Sequence, residues 1–434
     1  MKLIFSAFTG KAIRRPAFIL GLAAVSCLLP GNATAQIAPG YEVATWQGFK
    51  AAAVSYTFDD NTSKQLTVAV PLFDQYQFKT TLFTVTNWGP NWAALRAAAQ
   101  NGHEIASHTV SHSSLNTLNV SNQDTELRQS QATIKSNIAG AQVLTVAYPN
   151  CNIGDVPTIQ KYYIAGRVCS GQIVPRTPSN FYQISSLIAG SQGAVKTAAD
   201  FNAQVNSAKN SNGWAVFLMH GIDNDGGYSP LASAVLADHL AYVNTHRADY
   251  WVATFANVVK YIKQRNAVAI SESTITADSL QVTLQDNLDD QVYNMPVTVR
   301  RQLPNGWQGA SVYVNRQLVA SAVSTVNNTQ YITFEAVPTG GEVHIANKKA
   351  VVAGVRSLKD IPGLSFSPNP FSGSLHLTAP GAFQYSLFSL SGQLLENGEA
   401  TDSATVGAKL AAGTYLLKVQ HKKTTGIGRV VKVD

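Results

Sequence analysis

The stretch AAAVSYTFDD, residues 51–60, decides the fold of the first half of the chain. Its first eight residues are a short, largely apolar run, which predicts a strand buried in a parallel sheet. Asp59 and Asp60 follow directly, at the carboxyl end of that strand. In barrels of alternating strands and helices the residues that carry chemistry lie at this end of the strands. The two carboxylates are therefore the first candidates for a functional site.

A second motif, HTVSH at residues 108–112, follows about fifty residues later. On a helix this spacing would bring both imidazole rings to one face. Asp60, His108 and His112 together offer three metal ligands, which leave a coordination position open for water, as in catalytic rather than structural zinc sites. Asp59 remains beside the metal as an acceptor for a proton of that water. The pattern predicts metal-assisted hydrolysis.

Residues 1–35 are predicted to be a signal peptide, with a basic start, an apolar stretch and a cleavage site at ATA, residues 33–35. The segment holds four basic and no acidic residues, so its removal lowers the formal charge from +7 to +3. We therefore expect no nucleic-acid partner. No later stretch has the length and hydropathy of a transmembrane helix, so we expect no membrane span in the mature chain.

Two cysteines, Cys151 and Cys169, remain in the predicted mature chain. In an oxidising compartment they could form a disulfide, or they could stay as buried free thiols. Their spacing leaves both possibilities open.

The chain divides into three predicted domains after the signal peptide. Strand-like and helix-like segments alternate through residues 40–265, which predicts a parallel sheet with helical crossovers, folded as a barrel. Residues 267–346 alternate as antiparallel strands and predict a small β-sandwich. Residues 348–360 are a polar linker, and residues 361–434 predict a second small all-β sandwich.

The barrel segments have specific predicted bounds. After the first strand we expect strands at 82–85, 104–107, 143–146 and 214–218. The helical patterns between them cover 92–100, 124–138, 198–209 and 231–245.

Residues 45–265 resemble the polysaccharide deacetylases, known also as carbohydrate esterase family 4, whose members share a distorted (β/α) barrel. TFDD resembles the family's first motif and assigns Asp59 as base and Asp60 as metal ligand. GHEIASHTVSH, which ends at residue 112, resembles the second motif and assigns His108 and His112 to the metal.

The remaining motifs match the family unevenly. LMHG resembles the last motif, in which the histidine, here His220, is the general acid. VAYPNC departs from the third motif, F-R-x-P-Y-G, because Ala147 stands where the arginine is expected. A subset of the family has Ala-Tyr-Pro there and an arginine on the next strand, which predicts Arg167 beside Asp59. The resemblance assigns the oxyanion donor to the backbone N–H of Asn150.

The wall of the substrate site is less well defined, because no counterpart of the family's fourth motif is found. Four aromatic residues are candidates for stacking on a sugar, although aromatic residues are more often part of a core. They are Trp88, Trp92, Tyr148 and Tyr228.

The resemblance implies a hydrolase with a divalent metal, for which we expect zinc. The implied substrate is an N-acetylated glycan of the chitin, chitooligosaccharide or peptidoglycan type, and the bond cleaved is a carbon–nitrogen bond other than a peptide bond. An esterase acting on O-acetylated xylan with the same site is one alternative. A catalytically inactive carbohydrate-binding protein is another, motivated by the missing arginine and fourth motif.

The C-terminal segment resembles the sorting domain of the type IX secretion system of Bacteroidetes. The residues that carry the resemblance are SPNPF at 367–371, FSLSG at 388–392 and LAAGTYLL at 410–417. It implies that the type IX machinery is a partner, that the tail is removed, and that the protein reaches the cell surface or the medium through the periplasm.

Overall fold

The computed structural model of the protein describes residues 36–348, 356–390, 392–422 and 424–434. The predicted signal peptide, residues 1–35, lies outside the described residues, as does most of the predicted linker before residue 356. Among the described residues, no helix is long and apolar enough to cross a membrane.

Strands and helices alternate through the first part of the described chain, as the sequence predicts. Its strands are β1 (Tyr41–Val43), β2 (Ala52–Asp59), β3 (Thr81–Thr84), β4 (Glu104–Ser107), β5 (Thr145–Ala147), β6 (Ala165–Arg167), β7 (Leu187–Ile188), β8 (Trp214–Met219) and β9 (Tyr250–Val252). Its helices are α1 (Val70–Gln75), α2 (Trp92–Gln100), α3 (Val120–Asn137), α4 (Val156–Gln160), α5 (Ala198–Ser211), α6 (Ser233–Thr245) and α7 (Phe255–Ala267).

The strands β2 to β9 form one parallel sheet that curls round on itself. The strand order is β6-β5-β4-β3-β2-β8-β7, and β9 pairs with the first residues of β2. The chain before β7 returns to β6, since Ile184 N donates to Gly166 O and Val168 N donates to Ile184 O. With an α-helix between every pair of successive strands except β6 and β7, this arrangement confirms the distorted (β/α) barrel.

The helix starts depend on capping residues that the apolar pattern does not include. Helix α2 has the predicted bounds, and the Asn91 side chain before it accepts from Ala94 N at 3.1 Å. Helix α3 begins at Val120 rather than at the predicted residue 124, because Asn119 accepts from Asn122 N at 2.9 Å and caps an earlier first turn.

The next module is the predicted antiparallel sandwich. It contains β10 (Ala269–Thr276), β11 (Ser279–Gln285), β12 (Val297–Gln302), β13 (Ala310–Val314), β14 (Gln317–Leu318), β15 (Ser321–Val326), β16 (Thr329–Ala336) and β17 (Val343–Asn347). The two sheets have the orders β1-β12-β16-β15 and β10-β11-β17-β13-β14. Apolar side chains between them, such as Val282, Val299 and Phe334, form a separate core.

The N-terminal strand β1 belongs to the sandwich and not to the barrel. It pairs antiparallel with β12, with Tyr41 opposite Arg301. Helix α7 adds to the same junction, because the Tyr261 hydroxyl donates to Ala44 O at 3.0 Å. The sequence assigned residues 40–265 to one domain and did not predict this pairing across about 260 residues.

The C-terminal module is all-β, as predicted. It contains β18 (Arg356–Ser357), β19 (Ser365–Ser367), β20 (Leu375–Ser389), β21 (Leu394–Val406), β22 (Gly413–His421) and β23 (Thr424–Lys432). Hydrogen bonds join all six strands into one sheet. A bulge between Ala379 and Ala382 interrupts the pairing of β20 with β21, and bulges bend the strand that carries them. Leu358 is buried in this core, so the module begins before the predicted residue 361.

Candidate metal centre

Strand periodicity explains why the candidate residues meet at one end of the barrel. Small residues such as Ala53, Ala106 and Ala165 belong to the cluster in the barrel interior, to which helix α7 also contributes apolar side chains. Successive side chains of a strand alternate between its two faces. Asp59 lies six residues after Ala53, and His108 and Arg167 lie two residues after Ala106 and Ala165. All three therefore point into the same interior.

Asp60, His108 and His112 form a cluster that could hold a metal ion. One ligand atom from each lies within 4.8 Å of the others. Oδ1 of Asp60 is 3.6 Å from His108 Nε2 and 3.5 Å from His112 Nε2. This Oδ1 atom is buried and has no hydrogen-bond partner in the described part of the chain. Two imidazole nitrogens and one carboxylate oxygen suit zinc, so the residues present fit the implied metal.

The hydrogen bond of His108 fixes which of its nitrogens is free. Nδ1 lies 2.9 Å from the carbonyl oxygen of Ala147, which can only accept. Nδ1 therefore carries the proton, and the lone pair of Nε2 points towards Asp60. Burial lowers the pKa of His108 to about 4 and also lowers the pKa of His112. Both imidazoles are thus neutral, as metal ligands must be.

The segment between the two histidines is a loop, and the helix considered for the HTVSH motif is wrong. Thr109 and His112 have φ values of 67° and 63°, which no right-handed helix contains. The Glu126 carboxylate of α3 accepts from Val110 N at 2.8 Å and from Ser111 N at 2.9 Å. These bonds hold the loop so that both rings face Asp60.

Asp59 and Arg167 form a buried ion pair across the barrel mouth. Arg167 Nη2 donates to Asp59 Oδ2 at 2.5 Å, and the side chains are 1% and 3% exposed respectively. Burial raises the pKa of Asp59, but the charge of Arg167 and its hydrogen bond hold the pKa below its usual value. The contact predicted from the resemblance is present, and it keeps Asp59 ionised.

The pKa values of the neighbouring carboxylates Asp59 and Asp60 are shifted in opposite directions. Burial and the charge of Asp59 raise the pKa of Asp60 to about 7, although Arg167 lowers it in part. Asp59 is held below its usual pKa by the ion pair. Environments that separate the pKa values of two adjacent acids are a mark of acid–base sites.

His220 approaches the carboxylates from the end of β8. Its Nε2 lies 4.0 Å from Asp59 Oδ2 and 3.9 Å from Asp60 Oδ2. Burial lowers the pKa of His220, and the charge of Asp59 opposes this effect. Its Nδ1 is buried, with no hydrogen-bond partner among the described residues.

Asn150 lies on the turn after β5, at the rim of the site. Its φ is 54°, and its side chain donates to Ser114 Oγ at 2.9 Å. No hydrogen bond or ion pair in the described part of the chain joins it to the carboxylates. Directly after it, Cys151 forms a disulfide with Cys169, with Cα atoms 5.7 Å apart. The bond connects this turn to the residues that follow Arg167.

The four aromatic candidates divide into two pairs. Trp88 is 49% exposed and its ring centroid lies 4.8 Å from that of His112, while Tyr228 is 53% exposed and lies 5.0 Å from His220. Tyr148 is buried and donates its hydroxyl to Tyr182 O, so it does not line the site. Trp92 packs against the outer core at the start of α2.

The sequence did not predict the roles of Asn61 and Gln65, whose side chains bond backbone atoms next to the site. Asn61 donates from Nδ2 to Val85 O at 2.7 Å and accepts from Val85 N at 3.2 Å, which joins the ends of β2 and β3. Gln65 donates to the backbone oxygens of Asp59 and His220. Neither residue type signals such a contact in a sequence, because any amide can bond any carbonyl.

Comparison with known proteins assigns two parts of the chain. Residues 47–161 match the family model of polysaccharide deacetylase, and residues 365–433 match that of the secretion system C-terminal sorting domain. The chain therefore contains a polysaccharide deacetylase domain and a type IX sorting domain, and the sorting domain marks the protein as secreted or bound to the cell surface.

Individual proteins are similar over different lengths. A gellan lyase from Bacillus sp is 29% identical over 326 residues, which is 70% of this chain, and the chain spans only 13% of that protein. A family 4 acetyl xylan esterase from Clostridium thermocellum is 18% identical, with a TM-score of 0.36 over 48% of this chain and 89% of that one. A peptidoglycan deacetylase from Bacillus subtilis is 17% identical, with a TM-score of 0.36 over 49% and 93%.

Proposed function

We propose that the chain is a secreted, metal-dependent polysaccharide deacetylase that removes acetyl groups from N-acetylated sugars of chitin, chitooligosaccharides or peptidoglycan. The observation that carries this proposal is the buried Asp59–Arg167 pair beside the cluster of Asp60, His108 and His112. It supplies an ionised base next to a three-ligand site, which is what hydrolysis of an acetyl group requires.

The metal in this proposal is zinc, held by Asp60, His108 and His112. When bound, it would polarise the acetyl carbonyl and lower the pKa of a water molecule at the open position. Neutral imidazoles and an ionised Asp60 are the protonation states that ligation requires.

The protein's own residues then carry the proton transfers. Asp59 accepts a proton from the attacking water through Oδ1, since Oδ2 is bonded to Arg167. His220 in its protonated form, which the charge of Asp59 favours, gives a proton to the leaving nitrogen, and its Nε2 lies within 4.0 Å of both carboxylates. The backbone N–H of Asn150 would donate to the developing oxyanion.

The exposed rings of Trp88 and Tyr228 form the proposed sugar-binding walls. Each ring packs against one histidine of the centre, Trp88 against His112 and Tyr228 against His220. A sugar ring placed between them would present its acetyl group to Asp59 and Asp60. Aromatic faces offer a large apolar area to such a ring.

The wider organisation of the chain is also part of the proposal. The signal peptide at 1–35 directs export to the periplasm, and the type IX machinery then carries the protein across the outer membrane and removes the tail. The proposed domains keep the predicted bounds, 40–265, 267–346 and 361–434, except that β1 belongs to the sandwich and Leu358 to the sorting domain. The partner of the catalytic domain is an acetylated polysaccharide or oligosaccharide.

Acetate release from three substrates tests the proposal. The zinc-loaded protein is incubated with chitooligosaccharides, peptidoglycan and acetylxylan, with Asp59→Asn as the matched control. We expect acetate from an N-acetylated substrate in the wild type and release about 1000-fold slower in the control. Release from acetylxylan alone would replace the proposal with O-acetyl esterase activity, and release from none would favour a carbohydrate-binding protein.

A further inference from the structure

The Gln65 side chain joins the ends of the two strands that carry the carboxylates and the candidate acid. Its Nε2 donates to the backbone oxygen of Asp59, the last residue of β2. The same nitrogen donates to the backbone oxygen of His220, directly after β8, at 3.0 Å. The side chain is buried, with 3% exposed. Both hydrogens of one amide nitrogen are thus directed at backbone oxygens of site residues.

The oxygen of Asp59 belongs to the peptide that connects the proposed base to the metal ligand Asp60. The chain then turns sharply, since Asp60 has a φ of 74° and Asn61 a φ of 57°. Aspartate and asparagine tolerate this left-handed region better than other non-glycine residues, and such conformations persist where the surroundings fix them. Gln65 fixes the peptide before the turn, and the paired bonds of Asn61 with Val85 fix the residue after it.

The oxygen of His220 is held in the same way. It accepts from Gln65 Nε2 and from the hydroxyl of Thr62, at 3.0 and 3.1 Å. Gln65 opens a π-helical turn, Gln65–Ala69, and such turns occur frequently at functional sites. Thr62 and Gln65, which follow the metal ligand Asp60, therefore both bond the backbone oxygen of His220, the candidate acid.

We propose that Gln65 is a positioning residue, which sets the Asp59–Asp60 peptide and His220 at a fixed separation. This inference rests on the proposed function for its kinetic consequence, but its effect on the metal ligand Asp60 does not depend on the substrate. Replacing a residue that hydrogen-bonds to a metal ligand and orients it typically changes metal affinity or activity by about 10–100-fold.

Gln131 of α3 provides a matched control. Its Nε2 also donates to two backbone oxygens, those of Val143 at 3.0 Å and Tyr162 at 2.6 Å. Both acceptors precede strands, β5 and β6, and so lie at the barrel end opposite the metal centre. Loss of the Gln131 amide removes the same kind of bridge without touching the site.

The test compares Gln65→Met with Gln131→Met, two substitutions that keep the side-chain length and remove the amide. Zinc affinity is measured by competition with a chelator, and kcat and KM on the acetylated substrate that the wild type hydrolyses. We expect Gln65→Met to weaken zinc binding about tenfold and to lower kcat about 10–100-fold with KM little changed. Gln131→Met should leave zinc affinity, kcat and KM at wild-type values.

Equal zinc affinity in the two variants overturns the inference, whether or not any substrate is hydrolysed. A wild type that binds zinc but releases no acetate refutes the proposed function, and the zinc comparison still decides the role of Gln65. If Gln65→Met does not fold, the nearly isosteric Gln65→Glu replaces it, and the same loss of zinc affinity is expected because a carboxylate cannot donate to the two carbonyl oxygens.

Discussion

Two carboxylates at opposite ends of the barrel strands differ in how completely they are bonded. Glu104, the first residue of β4, accepts from the hydroxyls of Thr145 at 2.5 Å and Thr81 at 2.8 Å, and from Ala256 N at 2.9 Å. Asp59, the last residue of β2, has one donor, Arg167, and its Oδ1 has no partner in the described part of the chain.

This difference distinguishes Glu104, a carboxylate with a structural role, from Asp59, a carboxylate that can react. Desolvation raises the pKa of Glu104, and its three donors and the charge of Lys260 offset only part of that effect. The pKa of Asp59 is lowered instead, by an ion pair that leaves one oxygen free. A fully bonded carboxylate connects strands and helices, whereas a partly bonded ionised one can accept a proton.

Replacing the two acids by their amides should give the largest contrast. Asp59→Asn should lower kcat about 1000-fold without loss of zinc, because the attacking water loses its proton acceptor. Glu104→Gln should keep kcat near the wild-type value and lower the unfolding midpoint instead. The measurement is acetate release by zinc-loaded protein, with metal content checked in each variant. Near-normal turnover in Asp59→Asn would contradict the role of Asp59 as the base.

Arg167→Met should lower kcat about 10–100-fold, as for other residues that orient a reacting group. The variant also tests the pKa of Asp59. Only ionised Asp59 can act as base, and its pKa is below the usual value because the charge and hydrogen bond of Arg167 oppose the effect of burial. Without the guanidinium the pKa rises, so the acidic limb of the kcat profile should move to higher pH. An acidic limb at the wild-type position would contradict the role of Arg167.

Trp88→Ala and Tyr228→Ala should each raise KM about 3–10-fold, with kcat nearly unchanged, since an aromatic contact contributes about 0.5–1.5 kcal/mol. Tyr228→Phe is the control, because it keeps the ring and removes only the hydroxyl. KM values in Tyr228→Ala and Tyr228→Phe that rise equally would show that the ring face does not bind the sugar.

The double variant Cys151→Ser/Cys169→Ser should show the smallest effect on activity. The disulfide spans 18 residues, and loss of a bridge over a loop of this size costs about 3 kcal/mol of unfolding free energy. Urea unfolding measures this cost. We expect kcat/KM to change by only a few-fold, since Arg167 remains bonded to Asp59. Loss of activity as large as in Asp59→Asn would mean that the disulfide, rather than the ion pair, holds the site.

The strand-end motifs made the site predictable from the sequence. Asp59, His108 and His220 each follow an apolar run, and parallel strands bring such positions to one edge. The partnership of Arg167 with Asp59 came from the resemblance alone, because nothing local connects residues 108 positions apart. The disulfide was left open for the same reason, and it is present.

The features that could not be predicted from the sequence depend on contacts between residues that are distant along the chain. The HTVSH segment has helical spacing, but the Glu126 carboxylate bonds two of its backbone amides and stabilises a loop instead. The place of Gln65 depends on backbone oxygens, which leave no pattern in side-chain identity. The pairing of β1 with β12 joins segments too far apart in sequence for periodicity to detect.

Metal content tests the central claim most directly. Wild type, His108→Ala and His103→Ala are loaded with zinc, dialysed and measured by elemental analysis. His103 is a buried histidine of the same segment that bonds Thr80 N and Asp74 rather than the cluster. We predict one zinc per chain in the wild type and in His103→Ala, and none in His108→Ala. A full equivalent of zinc in His108→Ala would contradict the account.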